Sequence, residues 1–478
     1  MTRSHKLAWR ARYALLASGC GLALAGCVSS AGLVPSGKPL DVATVANDTA
    51  FSGWPDQHWW AVYGDVALDN LIAQALAANP DLELARARIE MADAAIGFSH
   101  ASLLPQVSFG VDSTYQRYPE HGQNRNLGGT AGSDNSLEFQ ASYELDFFGR
   151  NRAALAAAIS NARASAAAEQ AVRVAVASAV ARTYFELARL IAERQVLSDT
   201  HAQRKKILIL VKARVAEGLD SKVELRQAEG ALPAIDGELA LLDENIDLLR
   251  SQLGKLAVVE PSVTATLAPA LTKVAAPTLP TSIPSDLLAR RADITAARWE
   301  IEAATRGTDM IKAEFYPRVN LSAFAGIAAL GASSLFEAGA GTLGVNPSLS
   351  LPIFDGDRLR SKLKFADAQV DRAIAEYNNA LLNAMQDVVH AVTSLRALEH
   401  RQVAQLAAQG SAESAYDLAL QRYKAGLTGY LSVLATESEV LAQRRAATAL
   451  KARALLLHVE LNRALGGGFD AATMTASN

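Results

Sequence analysis

Between Ser136 and Phe147 the chain alternates without a break. Leu137, Phe139, Ala141, Tyr143, Leu145 and Phe147 are apolar, and Ser136, Glu138, Gln140, Ser142, Glu144 and Asp146 are polar or acidic. A period of two puts these sets on opposite faces of a strand. Gln106 to Gln116 follows the same rule, with Val107, Phe109, Val111 and Tyr115 opposing Ser108, Asp112, Thr114 and Gln116. Further along, Val319, Leu321, Ala323, Ala325 and Ile327 oppose Arg318, Asn320 and Ser322, and Leu343, Val345, Leu349, Leu351 and Ile353 oppose Asn346, Ser348 and Ser350. Segments of about ten residues suffice to cross a bilayer as tilted strands. Each taken singly also fits a half-buried hairpin strand of a soluble domain.

The compartment decides between these readings. Arg3, Lys6, Arg10 and Arg12 precede an apolar run from Tyr13 to Ala25, and Leu24-Ala25-Gly26-Cys27 places small residues before a cysteine. This is the order of a secretory signal peptide, residues 1–26, ending in a lipobox that makes Cys27 the lipidation site. Cys20 lies inside the signal and no cysteine follows Cys27, so the processed chain has no partner for a disulfide. Bacterial lipoproteins with Asp after the cysteine stay at the inner membrane; Val28 stands there instead and points to the outer membrane. Removing a segment with four positive charges and no acids takes the net charge from −3 to −7, which argues against a nucleic-acid partner. No run of eighteen apolar residues follows the signal, so any spanning segment must be β. The strand pairs carry long Gly/Asn/Ser-rich links, Glu120 to Gly132 and Gly331 to Gly341, as outer loops do. Four strands cannot close, and an open edge in lipid leaves N–H and C=O groups unpaired at several kcal/mol each. Two chains would nearly fill an eight-stranded interior, whereas three would leave a polar lumen.

The chain also repeats itself. Asn79-Pro80-Asp81-Leu82 and Ala85-Arg86-Ala87-Arg88-Ile89-Glu90 recur as Ala292-Asp293-Ile294 and Ala297-Arg298-Trp299-Glu300-Ile301-Glu302, an offset of 212 residues shared by Pro105 and Pro317. Arg214-Val215-Ala216-Glu217-Gly218-Leu219 recurs as Arg422-Tyr423-Lys424-Ala425-Gly426-Leu427, an offset of 208. These offsets are too long for a solenoid unit and mark duplication of one module. The expected organisation is an N-terminal segment 27–65, a first repeat 66–260, a linker 261–284, a second repeat 285–466 and a tail 467–478. Each repeat reads as a helix (Val66 to Leu103; Ser285 to Glu314), two strands, a helical stretch of more than sixty residues (Arg152 to Glu217; Leu359 to Ala425), a Gly-Leu turn and a return helix (Ser221 to Leu256; Leu431 to Leu465). Ala, Leu, Glu, Gln and Arg dominate the long stretches, each about 100 Å if continuous. Pro233 should kink or break the first return helix. The class is therefore α+β, with long helical hairpins and four transmembrane strands per chain. Taken alone, the helices also suit a lipid-anchored periplasmic coiled-coil scaffold.

In order along the chain stand Trp59-Trp60 with Leu68-Asp69-Asn70-Leu71-Ile72 and Ala75-Leu76; Tyr143-Glu144-Leu145-Asp146-Phe147-Phe148-Gly149-Arg150; Leu287-Leu288-Ala289-Arg290-Arg291; Pro352-Ile353-Phe354-Asp355-Gly356; and Ala464-Leu465-Gly466-Gly467-Gly468. In this order and spacing the chain resembles the outer membrane factor family, the TolC/OprM-like channels of tripartite efflux pumps, in its NodT-type lipoprotein branch. The resemblance implies a homotrimer with a twelve-stranded β-barrel and a periplasmic α-barrel, an exit duct that meets a periplasmic adaptor and, through it, an inner-membrane pump. It implies adaptor-docking tips at Arg214, Gly218, Leu219 and Ser221 and at Arg422, Gly426, Leu427 and Tyr430. Both glycines also suit plain helix caps. It places the apolar periplasmic gate at Leu431. The acidic gate position falls on Ala435, after Val433-Leu434, which leaves Glu437, about 200° further around the helix, as the nearby acid. Ala292 replaces the family's usual proline after Arg-Arg.

No His/Cys cluster has metal-ligand spacing, and no phosphate-cradling loop or Gly-x-Ser-x-Gly elbow occurs, so no cofactor and no catalysis are expected. An outer-membrane channel for type I protein secretion remains the transport alternative. The cargo is not written in the chain.

Overall fold

A computed structural model describes residues 29–40, 54–121, 125–271 and 290–471. Cys27 and the signal lie outside the described residues. The order is α1 (Val66–Ala78), α2 (Pro80–Ala101), β1 (Gln106–Arg117), β2 (Ala131–Leu145), α3 (Arg150–Ala216), α4 (Lys222–Ala257), α5 (Pro261–Ala265), α6 (Ala292–Ala313), β3 (Arg318–Leu330), β4 (Gly341–Ser350), α7 (Arg358–Lys424) and α8 (Tyr430–Ala464). The chain forms two compact units. One holds 88–165 and 297–377 with the N-terminal residues to 39; the other holds 40–87, 166–296 and 378–478. Each unit draws on both sequence repeats.

The first unit contains the sheet. Its order is β1-β2-β3-β4, antiparallel throughout. The register sets Val107, Ala141, Ala323 and Val345 in one row, and Phe109, Phe139, Ala325 and Leu343 in the next. Beneath the sheet, Ile311 and Phe315 at the end of α6 pack on Leu359, Leu363 and Ala366 at the start of α7. Arg163 lies 4.7 Å over the Trp299 ring.

The second unit holds the larger core. Trp59, Trp60 and Tyr63 sit in a short 3-10 turn, and with Leu68, Leu71 and Ile72 they pack on Val180, Tyr184 and Phe185 of α3, Ile235, Ile246 and Leu253 of α4, and Leu455 and Val459 of α8. Asp65 caps α1 by accepting from Ala67 and Leu68, and its other oxygen accepts from the Tyr184 hydroxyl at 2.7 Å. The Tyr63 hydroxyl meets His458 Nδ1 at 2.8 Å.

Several sequence expectations are corrected. The first helix is two helices, because a residue before proline is driven out of the α region. Asn79 takes ψ 128 and its side chain accepts from Asp81 N–H, ending α1 and starting α2. Pro233 does not break α4, which stays helical from Lys222 to Ala257; nearby, Arg204 donates to the Ala231 carbonyl at 3.2 Å. The expected helix start at Ser285 lies outside the described residues; within them α6 runs from Ala292, with Arg291 forked onto Asp293 and reaching Asp387. The strands run to Arg117 and Leu330, while Phe147, Leu351 and Ile353 fall outside the ladder. Both long helices are continuous for 67 residues. Among the described residues no helix is long and apolar enough to cross a membrane.

Gly326 tests the sheet. A Cβ there would stand 2.1 Å from the Leu137 carbonyl oxygen and 2.7 Å from the Glu138 Cα. Gly326→Ala should therefore disturb the β2–β3 ladder and lower the yield of heat-resistant assembled protein on unheated gels. Gly307→Ala, at a helical glycine with nothing within 4 Å, should leave that yield unchanged or raise it.

Candidate functional site

The sheet offers two chemically different surfaces. On one, Val107, Phe109, Val111 and Tyr115 of β1, Phe139 of β2, and Leu343, Val345 and Leu349 of β4 are exposed. Exposed apolar rows of this extent suit acyl chains rather than water. On the other surface the register aligns Gln106, Ser142, Ser322 and Asn346, then Ser108, Gln140, Phe324 and Gly344, then Gly110, Glu138, Gly326 and Thr342. Gly344 is bare because the Phe324 ring lies over it, 2.5 Å from where a Cβ would be. Glu144 on this face is held by Arg150, whose Nε and Nη2 donate at 3.2 Å. The arrangement can line an aqueous conduit against lipid. β1 and β4 form the sheet's edges, unpaired within one chain.

The hairpin tips lie in the second unit and share one backbone design. α3 ends with Gly218 at φ +72, Gly218 N–H donating to Val215 O (3.1 Å) and Leu219 N–H to Arg214 O (2.8 Å). α7 ends with Gly426 at φ +77, Gly426 N–H donating to Tyr423 O (3.0 Å) and Leu427 N–H to Arg422 O (2.9 Å). These are Schellman terminations, in which the glycine takes the left-handed position. The following leucine usually folds back onto its helix. Here Leu219 is 64% and Leu427 69% exposed, so both present an apolar side chain at the turn. Ser221 then caps α4 in a reciprocal capping box with Glu224, whereas Gly429 caps α8 without a side chain.

Beneath these turns the two hairpins are joined by polar contacts. Asp220 accepts from Arg214 Nε (3.0 Å) and Nη2 (3.2 Å), and also from the Tyr423 hydroxyl of the other hairpin. The Arg214 guanidinium lies 4.7 Å over the Tyr423 ring, which is fully buried and touches Tyr430. Burial pushes the Asp220 carboxyl up, but bonds from Arg214 and Tyr423 outweigh it and hold it below its ordinary value. Its stabilising contribution is thus complete at neutral pH and is lost only as pH falls through the lowered value. Burial and the adjacent Asp220 push the Tyr423 hydroxyl up, so it stays a donor.

One step along, Arg204 of α3 donates through Nε to Glu437 of α8 at 2.8 Å. Glu437 is 2% exposed, and its Oε1 has no partner among the described residues. Burial raises its pKa in spite of the arginine.

These positions sort the expected residues. Gly218, Leu219, Ser221, Arg422, Gly426 and Leu427 are exposed at the tips, and Leu431 is 65% exposed just after the second turn. Of the other two expected tip residues, Arg214 pairs with Asp220 and stacks on Tyr423, and Tyr430 is buried in the core between hairpins. Glu437, expected near the gate, has its carboxylate turned onto Arg204 and away from solvent. Asp220, Tyr423 and Arg204 were missed: the Arg204–Glu437 and Asp220–Tyr423 contacts join residues more than two hundred apart in sequence, and the local Arg214–Asp220 pair spans a turn whose geometry only the fold supplies.

A four-stranded sheet with a lipid-facing and a polar face, joined to helices of 67 residues, defines an outer-membrane channel subunit. The profile of the family described as outer membrane efflux protein matches residues 71–257 and 283–467. Over 468 residues the chain is 31% identical to the multidrug resistance outer membrane protein MdtQ of Escherichia coli O157:H7, covering 94% of this chain and 96% of that protein. It is 30% identical over 425 residues to the pyoverdine export outer membrane protein OpmQ of Pseudomonas putida, covering 88% and 90%. The structure of the outer membrane protein VceC from Vibrio cholerae superposes with a TM-score of 0.81 at 34% identity, covering 87% of this chain and all of VceC. The chain belongs to the outer membrane efflux protein family and is an outer-membrane efflux channel. In the trimers of this fold the sheet edges are closed by neighbouring chains, giving twelve strands from three.

The buried pair yields a pH-dependent prediction. Removing one partner of a buried ion pair costs about 3–5 kcal/mol, whereas replacing both with apolar residues is far milder. Arg204→Met should lower Tm more than Arg204→Met/Glu437→Met does. A raised Glu437 pKa means that the folded state holds its proton more tightly, so the wild type loses stability as pH rises through that value. The Tm difference between wild type and Glu437→Gln should therefore move in favour of the glutamine variant between about pH 5 and pH 8.

Proposed function

We propose that the chain is the lipid-anchored exit duct of a tripartite pump for small organic molecules, docked to its adaptor through the Leu219 and Leu427 tips and shut at the periplasmic end by a ring of Leu431. The observation that carries this reading is the pair of matching Schellman turns. Each puts one leucine into solvent on a backbone fixed by a left-handed glycine, and the turns stand at the same place in both repeats. A rigid turn with a projecting apolar side chain loses little entropy on binding, as a docking surface requires. Gly218, Ser221, Arg422 and Gly426 shape and flank these turns. Arg214 and Tyr430 support them from beneath, and Glu437 belongs to the Arg204 pair rather than to the gate.

Leu431 is the exposed apolar residue that follows the second turn, and Ala435, one helical turn further, is exposed and carries no charge. A closed ring here would therefore be apolar and would gate by excluding water. Cleavage before Cys27 leaves that cysteine to carry the lipid. The names of MdtQ and OpmQ, a multidrug-resistance and a pyoverdine-export protein, support small organic cargo.

Two measurements check this. A photo-crosslinker at Leu219 or Leu427 in intact cells should trap a periplasmic protein of the adaptor class, while one at buried Tyr430 should not; equal labelling at all three sites would reject the tip assignment. In planar bilayers Leu431→Ala should raise the open probability at least several-fold over wild type, and no conductance from either protein would reject the pore.

A further inference from the structure

Residues 29–40 add no strand to the sheet, yet they are fitted closely to α7. Arg360 Nη1 donates to the Ser29 carbonyl at 2.6 Å. The strap then turns once, Leu33 N–H donating to Ser30 O at 3.3 Å with Gly32 at φ +81. Leu33 enters the cluster of Ile311, Phe315, Leu359, Leu363 and Ala366. Asp371 closes the fit. Its carboxylate accepts from Ser36 N–H (2.8 Å), Ser36 Oγ (2.8 Å) and Gly37 N–H (2.7 Å). Gly37 is tightly enclosed: a Cβ would stand 3.1 Å from Asp371 Oδ1 and 3.3 Å from both the Asp371 Cα and Ile374 Cδ1, so these neighbours would have to give by a few tenths of an ångström.

The spacing is consistent along the strap. From Arg360 to Asp371 the helix rises about 16 Å. Residues 29 to 36 could span at most about 25 Å, and the single turn takes up the excess. The strap therefore runs in one register, with its N-terminal end at the sheet side of α7, ten residues beyond the end of β4. A residue two positions before Ser29 can stand no further than about 7 Å from it.

We infer that the strap is a tether of fixed length and that Asp371 is a positioning residue for the anchor, holding acylated Cys27 at the sheet end of α7 so that the lipid delivers the sheet to the bilayer. This rests on lipidation of Cys27. A short tether raises the effective concentration of the sheet at the membrane, and this concentration falls roughly as the −3/2 power of tether length. Releasing the strap frees the chain as far as Leu40, whose N–H donates to Asn378 at 2.8 Å. The free tether then grows from about two residues to about thirteen, an upper limit of roughly seventeenfold on the loss.

The test follows the rate at which heat-resistant trimers appear in pulse-chase labelling of the full chain. Asp371→Ala is compared in two backgrounds: the acylated protein, and Cys27→Ser exported behind a leader cleaved without lipidation. In the acylated protein Asp371→Ala should slow assembly threefold to tenfold while the finished trimer keeps its Tm, and Asp371→Asn, which retains an acceptor, should recover part of the rate. In the unacylated background the same substitution should change the rate by less than 1.5-fold. Equal slowing in both backgrounds would make the strap ordinary packing, and an unchanged rate in the acylated protein would remove its role; either overturns the inference. Palmitate labelling of the wild type, lost in Cys27→Ser, reads the anchor separately, and its absence would overturn both the anchor and the inference. If the unacylated protein fails to assemble in cells, the comparison is made by refolding acylated and unacylated chains into phosphatidylethanolamine–phosphatidylglycerol vesicles, with the same criteria.

Discussion

Backbone hydrogen bonding in a medium without water is the constraint on which the rest of the structure depends. β1 and β4 each present an unpaired edge, and within hydrocarbon every unpaired N–H and C=O is costly. Among the described residues no other strand covers them. The sheet is therefore stable in a bilayer only when a neighbour's β1 meets this chain's β4, so insertion and oligomer closure are one event. The remaining architecture serves that event. Glycines at 326 and 344 let the ladder and the Phe324 ring fit, and Arg150 clamps Glu144 on the polar face close to where α3 begins.

The helical hairpins answer a different requirement. They lie in water, where backbone bonds are satisfied within each helix, so their arrangement rests on side chains. Apolar contacts among Ile207, Val211, Tyr416, Tyr423, Tyr430 and Val433 hold the two hairpins together near their tips. Buried polar contacts then fix their register, since a bidentate Arg214–Asp220 pair tolerates little sliding. Such contacts bring less stability than their number suggests, because burial costs much of what pairing returns. Glu437, with one oxygen unpartnered among the described residues and its pKa raised by burial, is where that cost falls.

Duplication left the repeats alike in backbone and unlike in chemistry. Both tips end in Gly-Leu, yet Asp220 and Ser221 of the first correspond to Thr428 and Gly429 of the second. The ionic group thus sits on one tip and its phenol partner on the other. Each hairpin now needs the other, which two identical copies would not.

The sequence by itself determined the strands, the length of the long helices, the repeat and the Gly-Leu turns. Alternation, helix-forming composition and left-handed glycine are local properties that survive without knowledge of contacts. Proline's effects were legible only in part: Asn79-Pro80 divided a helix, whereas Pro233 was absorbed within one. What only the tertiary structure decided is which tip residues face solvent. The resemblance set Arg214 and Tyr430 among the tip residues and Glu437 near the gate, and in the fold their side chains meet Asp220, Tyr423 and Arg204. The Arg204–Glu437 and Asp220–Tyr423 contacts join residues more than two hundred apart, a distance that no local pattern carries. The strap on α7 is of the same kind. Nothing in Ser36-Gly37 announces Asp371, yet three hydrogen bonds and a tightly enclosed glycine fix where residues 36 and 37 lie.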